Sequence, residues 1–563
     1  MKQYHLVLLA FPSIALSACD GGGGGDPLRP DGGSTPEPTV TYHRDVAPLV
    51  ARECLSCHVE GGIGPFALDT YARLVEQSEF VLPAVMAGYM PPWMPDPDCR
   101  VFEHQRQLSA AERQVFEQWV AEDMPEGDPA TAPPPPPAPP AFTATHVARM
   151  TQEYLPDARV PDDYRCFLLD HTFERDSFLV GRNVVPGAGA LVHHVLVYGV
   201  PPEMVATIEG ADAAEDGPGY TCFGGPVPTA METRGGALGL VGMGGWVPGA
   251  LPVVEREGRG VYIPAGSRIV MQVHYNLLGN EPAADRTEYH MRITEDAPAQ
   301  LATTFPTVIL DLNIAAGRAE NPHRAVFRNY RSDALNLTGL MPHMHLLGRQ
   351  ISLHRVPAAG AAEDHECLID VPRWSFGWQE SYAVRRDDAM TIAPGEGLEL
   401  FCNYDNSPTN QPVINGTRVE PRDVTWGEGT LDEMCLLYVQ HETPWTGTPP
   451  ARGCDAAADC LAGCTSGDAE CLLSCEGLAG GCRICVMEST LGCARDTCLA
   501  AYAPAAACFQ TCLLSFAVVG GSFDRCMAAE CPEGTWPRAR DCVERVVEAG
   551  TCDARLTACG ISR

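Results

Sequence analysis

A long succession of short apolar runs constrains the fold of this chain more than any other feature. Between residues 143 and 447, runs such as 191–200 and 269–275 alternate or are continuously apolar, and clusters of Gly, Pro and Asn separate them. Runs of this kind, bounded by turn residues, are typical of all-β sandwiches. The segment is long enough for two, so we predict tandem sandwiches over 143–300 and 301–447. The run 313–331 lacks the strand-like texture.

The segment before the sandwiches has a mostly helical pattern and is predicted to be a small domain over residues 40–128. Ser109 and Glu112 have the spacing of a capping box, which predicts a helix over 108–121. The apolar side of this helix consists of Val115, Phe116 and Trp119. A proline-rich run then favours polyproline II, so residues 129–142 are predicted to be a semi-rigid linker.

Residues 448–563 form a cysteine-rich segment, with 16 of the 25 cysteines and no histidine. The spacing of Cys508 and Cys512 recurs in two other pairs and puts both thiols on one helix face. We therefore predict small helical hairpins stapled by disulfides, since a short core needs such support. A zinc module is the alternative, and Cys482 and Cys485 are its best fragment.

The N-terminus is typical of an exported lipoprotein. Lys2 precedes an apolar stretch, and Leu16-Ser-Ala-Cys19 resembles a bacterial lipobox, which implies cleavage after residue 18 and lipid attachment to Cys19. Residues 19–39 are predicted to be a flexible tether on the periplasmic or cell-surface side of a bacterial membrane. An ordinary cleaved signal is the alternative. The formal net charge of −33 argues against nucleic acid as a partner.

The helical segment carries a haem-attachment motif, Cys54-Leu-Ser-Cys57-His58. In this motif both thiols form thioethers to a covalently bound haem c, and the histidine becomes an iron ligand. Met90 is the predicted second ligand. The competing residues are Met86, Met94 and His104. A redox or zinc Cys-x-x-Cys pair is the alternative. The segment resembles the small cytochrome c modules fused to bacterial exported enzymes.

Two groups of metal-ligand residues lie in the sandwich region. His343 and His345 are two apart, and on a strand such residues point to the same face, so both can bind one ion. Met434 offers a soft thioether, which suits copper better than zinc or iron. In the other group, His193 and His194 are adjacent and would point to opposite faces of a regular strand. They could share an ion with His274 only if the strand were twisted or the ring nitrogens were used asymmetrically.

Together these motifs resemble the copper type II, ascorbate-dependent monooxygenases, the family of peptidylglycine α-hydroxylating monooxygenase and dopamine β-monooxygenase. The resemblance covers roughly residues 165–442 and implies two jelly-roll-like sandwiches facing each other across a solvent cleft. It implies two copper ions, one for electron transfer and one for oxygen activation. The first would be held by His193, His194 and His274, and the second by His343, His345 and Met434.

The resemblance also assigns residues around the metal ligands. Gln272 matches the glutamine before the third histidine, and Tyr438 matches a family tyrosine. The disulfides that it implies are Cys402–Cys435 and Cys166–Cys222. Cys99 and Cys367 receive no assignment.

Two positions depart from the family pattern. Met341 stands where peptidylglycine enzymes have a carboxylate-binding arginine, and Leu436 replaces an expected asparagine. Because a desolvated carboxylate needs a charged or bidentate partner, a peptidylglycine substrate is disfavoured and a more apolar small molecule is expected. The prediction is a membrane-tethered monooxygenase that hydroxylates a C–H bond with O2 and receives electrons from an upstream donor through the fused haem. The alternatives are a non-catalytic copper and haem electron-transfer or copper-handling lipoprotein, and a surface interaction protein.

Overall fold

The computed structural model describes residues 39–449 and parts of 493–552. The gaps within the first range are 61–63, 135–141, 161, 223–224, 228–239, 249, 278–280, 359–364, 415–416 and 428. The predictions for the signal segment, for Cys19 and for Cys482 and Cys485 lie outside the described residues. Within the described part, none of the helices has the length and apolar character needed to cross a membrane.

Within the described residues, the α-helices lie mainly toward the two ends of the chain. The described α-helices are α1 (Ala47–Glu53), α2 (Tyr71–Glu76), α3 (Ser78–Met86), α4 (Ala110–Ala121), α5 (Pro202–Ala213), α6 (Phe523–Glu530) and α7 (Thr535–Glu548). A π-helical turn, Tyr42–Val46, precedes α1, and a 3-10 turn, Pro129–Thr131, follows α4. The capping box predicted for α4 is confirmed: the Ser109 side chain accepts from the Glu112 N–H, and Glu112 accepts from the Ser109 N–H.

Strands fill the middle of the chain, as the apolar runs predict. The first ten are β1 (His146–Arg149), β2 (Asp162–Thr172), β3 (Ser177–Val185), β4 (Val192–Val200), β5 (Tyr220–Thr221), β6 (Val241–Trp246), β7 (Val253–Val254), β8 (Arg259–Ile263), β9 (Arg268–Asn276) and β10 (Glu288–Thr294). The others are β11 (Gln300–Ile309), β12 (Asn321–Arg328), β13 (Leu335–His343), β14 (Gly348–Val356), β15 (Glu366–Val371), β16 (Tyr382–Ala383), β17 (Met390–Ile392), β18 (Gly397–Tyr404), β19 (Val413–Ile414), β20 (Thr417–Arg418) and β21 (Cys435–Pro444).

Two sandwiches share one long sheet. That sheet has ten strands in the path β1-β10-β3-β8-β11-β21-β13-β16, with β7 beside β3 and β17 beside β13. A five-stranded sheet, β5-β2-β9-β4-β6, faces its first half, and a four-stranded sheet, β12-β18-β14-β15, faces its second half. The halves join where β8 and β11 pair in parallel through Arg259–Gln300 and Gly260–Leu301. Each half encloses its own apolar core.

Strand β12 lies within 313–331, although the sequence of this run lacks a strand-like pattern. Most of its side chains are partly or fully exposed, and only Asn321 and Phe327 are buried. The strand is at the edge of the four-stranded sheet, where it pairs with β18 alone. An edge strand with few buried residues has weak apolar periodicity, which explains why the sequence pattern did not indicate β12.

The N-terminal helical module has a small core of its own, which includes Trp119, Phe116 and Leu74. Between α3 and α4 the chain leaves this module, and we call residues 89–107 the strap. The strap lies on the second sandwich, where Trp93 and Phe102 are buried in the core of that sandwich. The mostly helical segment 40–128 therefore includes a non-helical strap whose apolar contacts lie in the second sandwich.

A disulfide and main-chain contacts fasten the strap. Cys99 bonds to Cys367 on β15, across 268 residues of sequence. The Asp96 N–H donates to the carbonyl of Asp370 at 2.8 Å, and the Glu103 N–H donates to the carbonyl of Ala383 at 2.9 Å. Further described disulfides are Cys166–Cys222, Cys402–Cys435, Cys493–Cys552, Cys498–Cys542, Cys508–Cys531 and Cys512–Cys526. The first two are the pairs that the resemblance implies, and the last four staple the C-terminal helices.

Candidate metal sites

Three histidines meet on the first sandwich, and a β-bulge brings them together. β4 pairs with β9 so that His194 lies opposite His274, but the register shifts between Val192 and His194. His193 is therefore the extra residue of the bulge, which re-aims its side chain to the face that His194 uses. This is the distortion that two adjacent histidines need in order to share an ion.

The ring nitrogens of this trio converge. The Nδ1 atom of His194 lies 3.3 Å from Nδ1 of His193 and 3.3 Å from Nδ1 of His274. One ligand atom from each residue lies within 4.8 Å of the others. Burial, reinforced by the neighbouring imidazoles, lowers the pKa of His193 to about 3 and holds the pKa of His194 well below its ordinary value. Both rings are therefore neutral at neutral pH and can donate a lone pair to a metal.

Asp162 orients the third ring of the trio. His274 is fully buried and stacks on Tyr164 with ring centroids 4.0 Å apart. Its Nε2 atom lies 2.8 Å from Oδ1 of Asp162. Burial would raise the pKa of Asp162, but the hydrogen bond to His274 leaves it below the ordinary value, so the carboxylate is ionised and accepts the Nε2 proton. That tautomer leaves the Nδ1 lone pair of His274 directed at the other two rings.

Asp162 was not found from the sequence, and its role can be tested. We expect Asp162→Ala to weaken copper binding at the three-histidine site by about 10–100-fold, because the His274 ring loses the acceptor that fixes its tautomer. Asp162→Asn, which keeps one acceptor oxygen, should cost less. Competition against a copper chelator measures both. Asp163→Asn is the matched control, since Asp163 accepts from Tyr154 instead. Equal affinities in Asp162→Ala and Asp163→Asn would exclude this role.

The second group lies on the second sandwich, at the end of β13. His343 is the last residue of the strand, and His345 lies two residues on, just before the turn at 346–347. The expectation that one strand face presents both rings is therefore wrong in its geometry. The ring centroids nevertheless lie within 5.1 Å of each other, with the planes 87° apart.

Both rings of this pair are held by hydrogen bonds at Nδ1. Nδ1 of His343 lies 2.6 Å from Oε1 of Gln379, and Nδ1 of His345 lies 3.1 Å from the carbonyl oxygen of Asp432. Because carbonyl oxygens only accept, each ring carries its proton on Nδ1 and leaves Nε2 for a metal. Burial lowers the pKa of His343 to about 4 and that of His345 to about 3. These imidazoles are also neutral.

Glu433 ties Met434 to His345. Its carboxyl group is fully buried and its oxygens accept from the N–H groups of His345 at 2.9 Å, Leu347 at 2.6 Å and Met434 at 3.3 Å. Burial raises the pKa of Glu433 to about 8, while these donors act in the opposite direction. Met434 itself is buried, and Tyr404 donates to its carbonyl at 2.9 Å. The thioether-bearing residue thus lies beside the His343–His345 pair.

Other predicted residues lie near these groups. Gln272 shares a strand with His274, is buried, and donates from Nε2 to the carbonyl of Cys222 at 3.2 Å. Tyr438 pairs with Met341 across β21 and β13, and Leu436 pairs with His343. Side chains directly opposite each other on neighbouring strands, and those two apart on one strand, share a face. Met341 and Leu436 therefore flank His343 on its own side of the sheet.

The loop between β15 and β16 contacts both groups. We call residues 372–381 the bridging loop. The ring of Phe376 stacks on His193 at 5.0 Å and meets His345 edge-on at 6.0 Å. The Trp374 indole N–H donates to the carbonyl of His345 at 3.1 Å. No sequence pattern indicated a role for this loop, because its residues contact histidines that are distant from it in the sequence.

The predicted haem residues lie in the N-terminal module. Cys54 and Cys57 are the free cysteines of the described residues. Nδ1 of His58 lies 2.9 Å from the Phe66 carbonyl, so its Nε2 is left free. Among the candidates for a second ligand, Met86 and Met90 are 41% exposed, His104 is exposed, and Met94 packs against the core of the second sandwich. That packing disfavours Met94.

Fold and sites together define a β-sandwich protein with two imidazole-rich groups on adjacent sandwiches, one of which has the geometry to hold a metal ion. Residues 328–448 match the family model of the copper type II ascorbate-dependent monooxygenase, C-terminal domain, which supports assignment to that family and a copper monooxygenase kind of function. The matched residues include His343, His345 and Met434.

Comparisons with whole proteins add little. No curated protein matches this chain. Among solved structures, the major capsid protein P2 from Bacteriophage PM2 is 8% identical with a TM-score of 0.19, over 54% of this chain and 98% of that one. The infectious bursal disease virus VP2 subviral particle is 10% identical with a TM-score of 0.13, over 56% and 75%. Both TM-scores are too low to indicate a shared fold.

Proposed function

We propose that this protein is a copper-dependent monooxygenase that hydroxylates a C–H bond of a small, apolar substrate with O2. The observation that carries the proposal is the convergence of His193, His194 and His274 in a chain whose second sandwich matches the copper monooxygenase family. The same sandwich holds the His343–His345 pair beside Met434. Two separate groups of soft and imidazole ligands are what a two-copper enzyme requires.

The donor sets fit copper. Three neutral imidazoles converge in the first group, and imidazole suits copper in both oxidation states. In the second group, two free Nε2 atoms and a thioether form a set that favours Cu(I) and leaves room for a further ligand. When bound, copper at the second group would supply dioxygen activation, and copper at the first would supply a second electron.

The residues around the second group support an apolar substrate. Met341 and Leu436 flank His343 and offer no charge to a carboxylate. Gln379 and the Asp432 carbonyl fix the two rings, and Glu433 holds His345 and Met434 at a constant spacing. A rigid set of ligands with apolar neighbours favours an apolar or aromatic C–H substrate over a charged one.

We include the N-terminal module in the proposal as the route for electrons from an upstream donor. Cys54, Cys57 and His58 would hold a covalent haem c. Burial raises the pKa of the Cys54 thiol to about 12, which disfavours the thiolate that a redox or zinc role needs. The His58 hydrogen bond to Phe66 leaves Nε2 for iron. Beside this histidine, Gly64 and Phe66 line an open cavity of about 360 Å³.

Docking of this module on the second sandwich supports electron supply within one molecule, because a tethered donor has a high effective concentration. Cys19 would carry the lipid that anchors the exported protein to a bacterial membrane. Mass spectrometry of the intact protein tests both attachments, since each adds a defined mass. Variants Cys54→Ala with Cys57→Ala should lose the haem mass and its absorbance, and Cys19→Ala should lose the lipid.

Metal analysis and oxygen uptake test the central proposal. Fully metallated protein should contain about two coppers per chain, one for each donor set. A screen of small apolar and aromatic compounds on reduced protein should find oxygen uptake that depends on the compound, with a hydroxylated product. A copper-handling or electron-transfer protein would bind the metal without such uptake. Protein that takes up no copper would contradict both.

A further inference from the structure

The bridging loop holds both rings of the second metal site and one ring of the first. Gln379 is buried and accepts from Nδ1 of His343 at 2.6 Å, while its own Nε2 donates to the Phe376 carbonyl at 3.0 Å. Phe376 lies against His193 and His345, which belong to different sandwiches. The position of this loop therefore determines how the His343 ring is oriented and what separates the two groups.

The loop has no regular secondary structure, and one of its sides is held by the strap. Arg106 forms an ion pair with Glu380 at 2.6 Å, and both side chains are largely buried. The guanidinium of Arg106 also lies over the Trp378 ring, 5.3 Å from its centroid. Glu380 and Trp378 are the sequence neighbours of Gln379, so Arg106 fixes the backbone on both sides of the residue that holds His343.

The ends of the loop are also held, mainly by the strap and at one point by the residue that follows α3. Tyr382, just after the loop, contacts the rings of Trp93 and Phe102 from the strap at 5.2 and 5.6 Å. At the other end, Arg373 donates to the carbonyl of Ala87 at 3.2 Å and lies over the Tyr89 ring. Gly348 at the start of β14 allows the Trp374 ring of the loop to approach the backbone closely, since a Cβ at residue 348 would lie 2.7 Å from that ring.

We propose that the strap sets the geometry of the second metal site, with Arg106 as a positioning residue that acts on His343 through Glu380, Trp378 and Gln379. The inference rests on the proposed copper site of His343, His345 and Met434. It gives the strap a structural role at that site which is independent of any haem. A buried, planar guanidinium suits this role because it can pair with a carboxylate and stack on an aromatic ring at once.

Copper binding to full-length variants tests the proposal. A His194→Ala background removes the central ring of the first group, so that copper reports on the second. In it, Arg106→Leu should weaken copper affinity by about 10–100-fold, as expected when the partner of a ligand imidazole is displaced. The Cu(II) paramagnetic resonance spectrum should also change. Glu380→Gln should give the same change without altering residue 106, and Arg106→Lys should recover part of the affinity.

Arg100→Leu is the matched control. Arg100 is also a buried strap arginine, but it pairs with Glu366 and Asp388, away from the bridging loop. It should lower the melting temperature while leaving copper affinity and the spectrum unchanged. The proposal is overturned if Arg106→Leu and Glu380→Gln leave both readouts unchanged, or if Arg100→Leu alters them equally. If the His194→Ala parent binds no copper, the proposed metal site itself is wrong.

Discussion

Replacing His345 with alanine is expected to abolish substrate-dependent oxygen uptake and to reduce bound copper from about two ions per chain to about one. The second group would retain only His343 and Met434, and two ligands cannot hold a copper ion tightly. The three-histidine group has its own ligands on the other sandwich and should stay loaded. An oxygen electrode and metal analysis on the same preparation measure both effects, and any haem absorbance should be unaltered.

His354→Ala is the control for this experiment. His354 lies on β14 of the same sandwich, is only partly buried and is not one of the proposed ligands, so the substitution removes an imidazole from this sandwich without touching the ligand set. It should leave copper content and oxygen uptake at the level of the parent protein. Unchanged oxygen uptake in His345→Ala would refute the assignment of oxygen chemistry to the second group.

Glu433→Ala should have the largest effect on stability, and it should also empty the second site. The carboxyl oxygens accept from three buried N–H groups, and each unsatisfied donor costs about 1–3 kcal/mol. We therefore expect the free energy of unfolding to fall by about 3 kcal/mol or more. His345 and Met434 lose their common partner, so copper at the second group should be lost while the three-histidine group keeps its ion.

Denaturant unfolding and metal analysis check this prediction. Glu433→Gln keeps one acceptor oxygen but turns an amide NH2 toward N–H donors, so it should fall between the parent and Glu433→Ala. Glu442→Ala, at a partly exposed position of β21, is the control and should change stability little. If Glu433→Ala were as stable as Glu442→Ala and bound two coppers, Glu433 could not be the support described above.

The sequence predicted the all-β region, the capping box of α4 and the residues at the metal sites better than it predicted their geometry. His193 and His194 were recognisable as a pair, but the bulge that lets them share a face depends on the register of β4 against β9. His345 was expected on a strand, whereas β13 ends at His343. Residue spacing reports local periodicity, and it contains little information about where pairing stops.

The supports of the sites were not predictable at all. Asp162, Gln379 and Glu433 are ordinary polar residues whose roles arise from contacts with histidines between 36 and 112 positions away. The strap was missed for the same reason, because Trp93 and Phe102 suit a helical core as well as a sandwich core. Only tertiary packing decides in which of the two cores an apolar residue is buried.

The strap also imposes an order on biosynthesis. The core that buries Trp93 and Phe102 is synthesised after the strap. The disulfide partner of Cys99 is also made later, because Cys367 is 268 residues further along the chain. At about 5–20 residues per second, that delay is on the order of tens of seconds. During this interval the Cys99 thiol lacks its disulfide partner, and the two aromatic side chains lack the core that buries them in the folded protein. Maturation of the N-terminal module can therefore precede its docking, and proteins that shield or oxidise nascent chains have time to act on it.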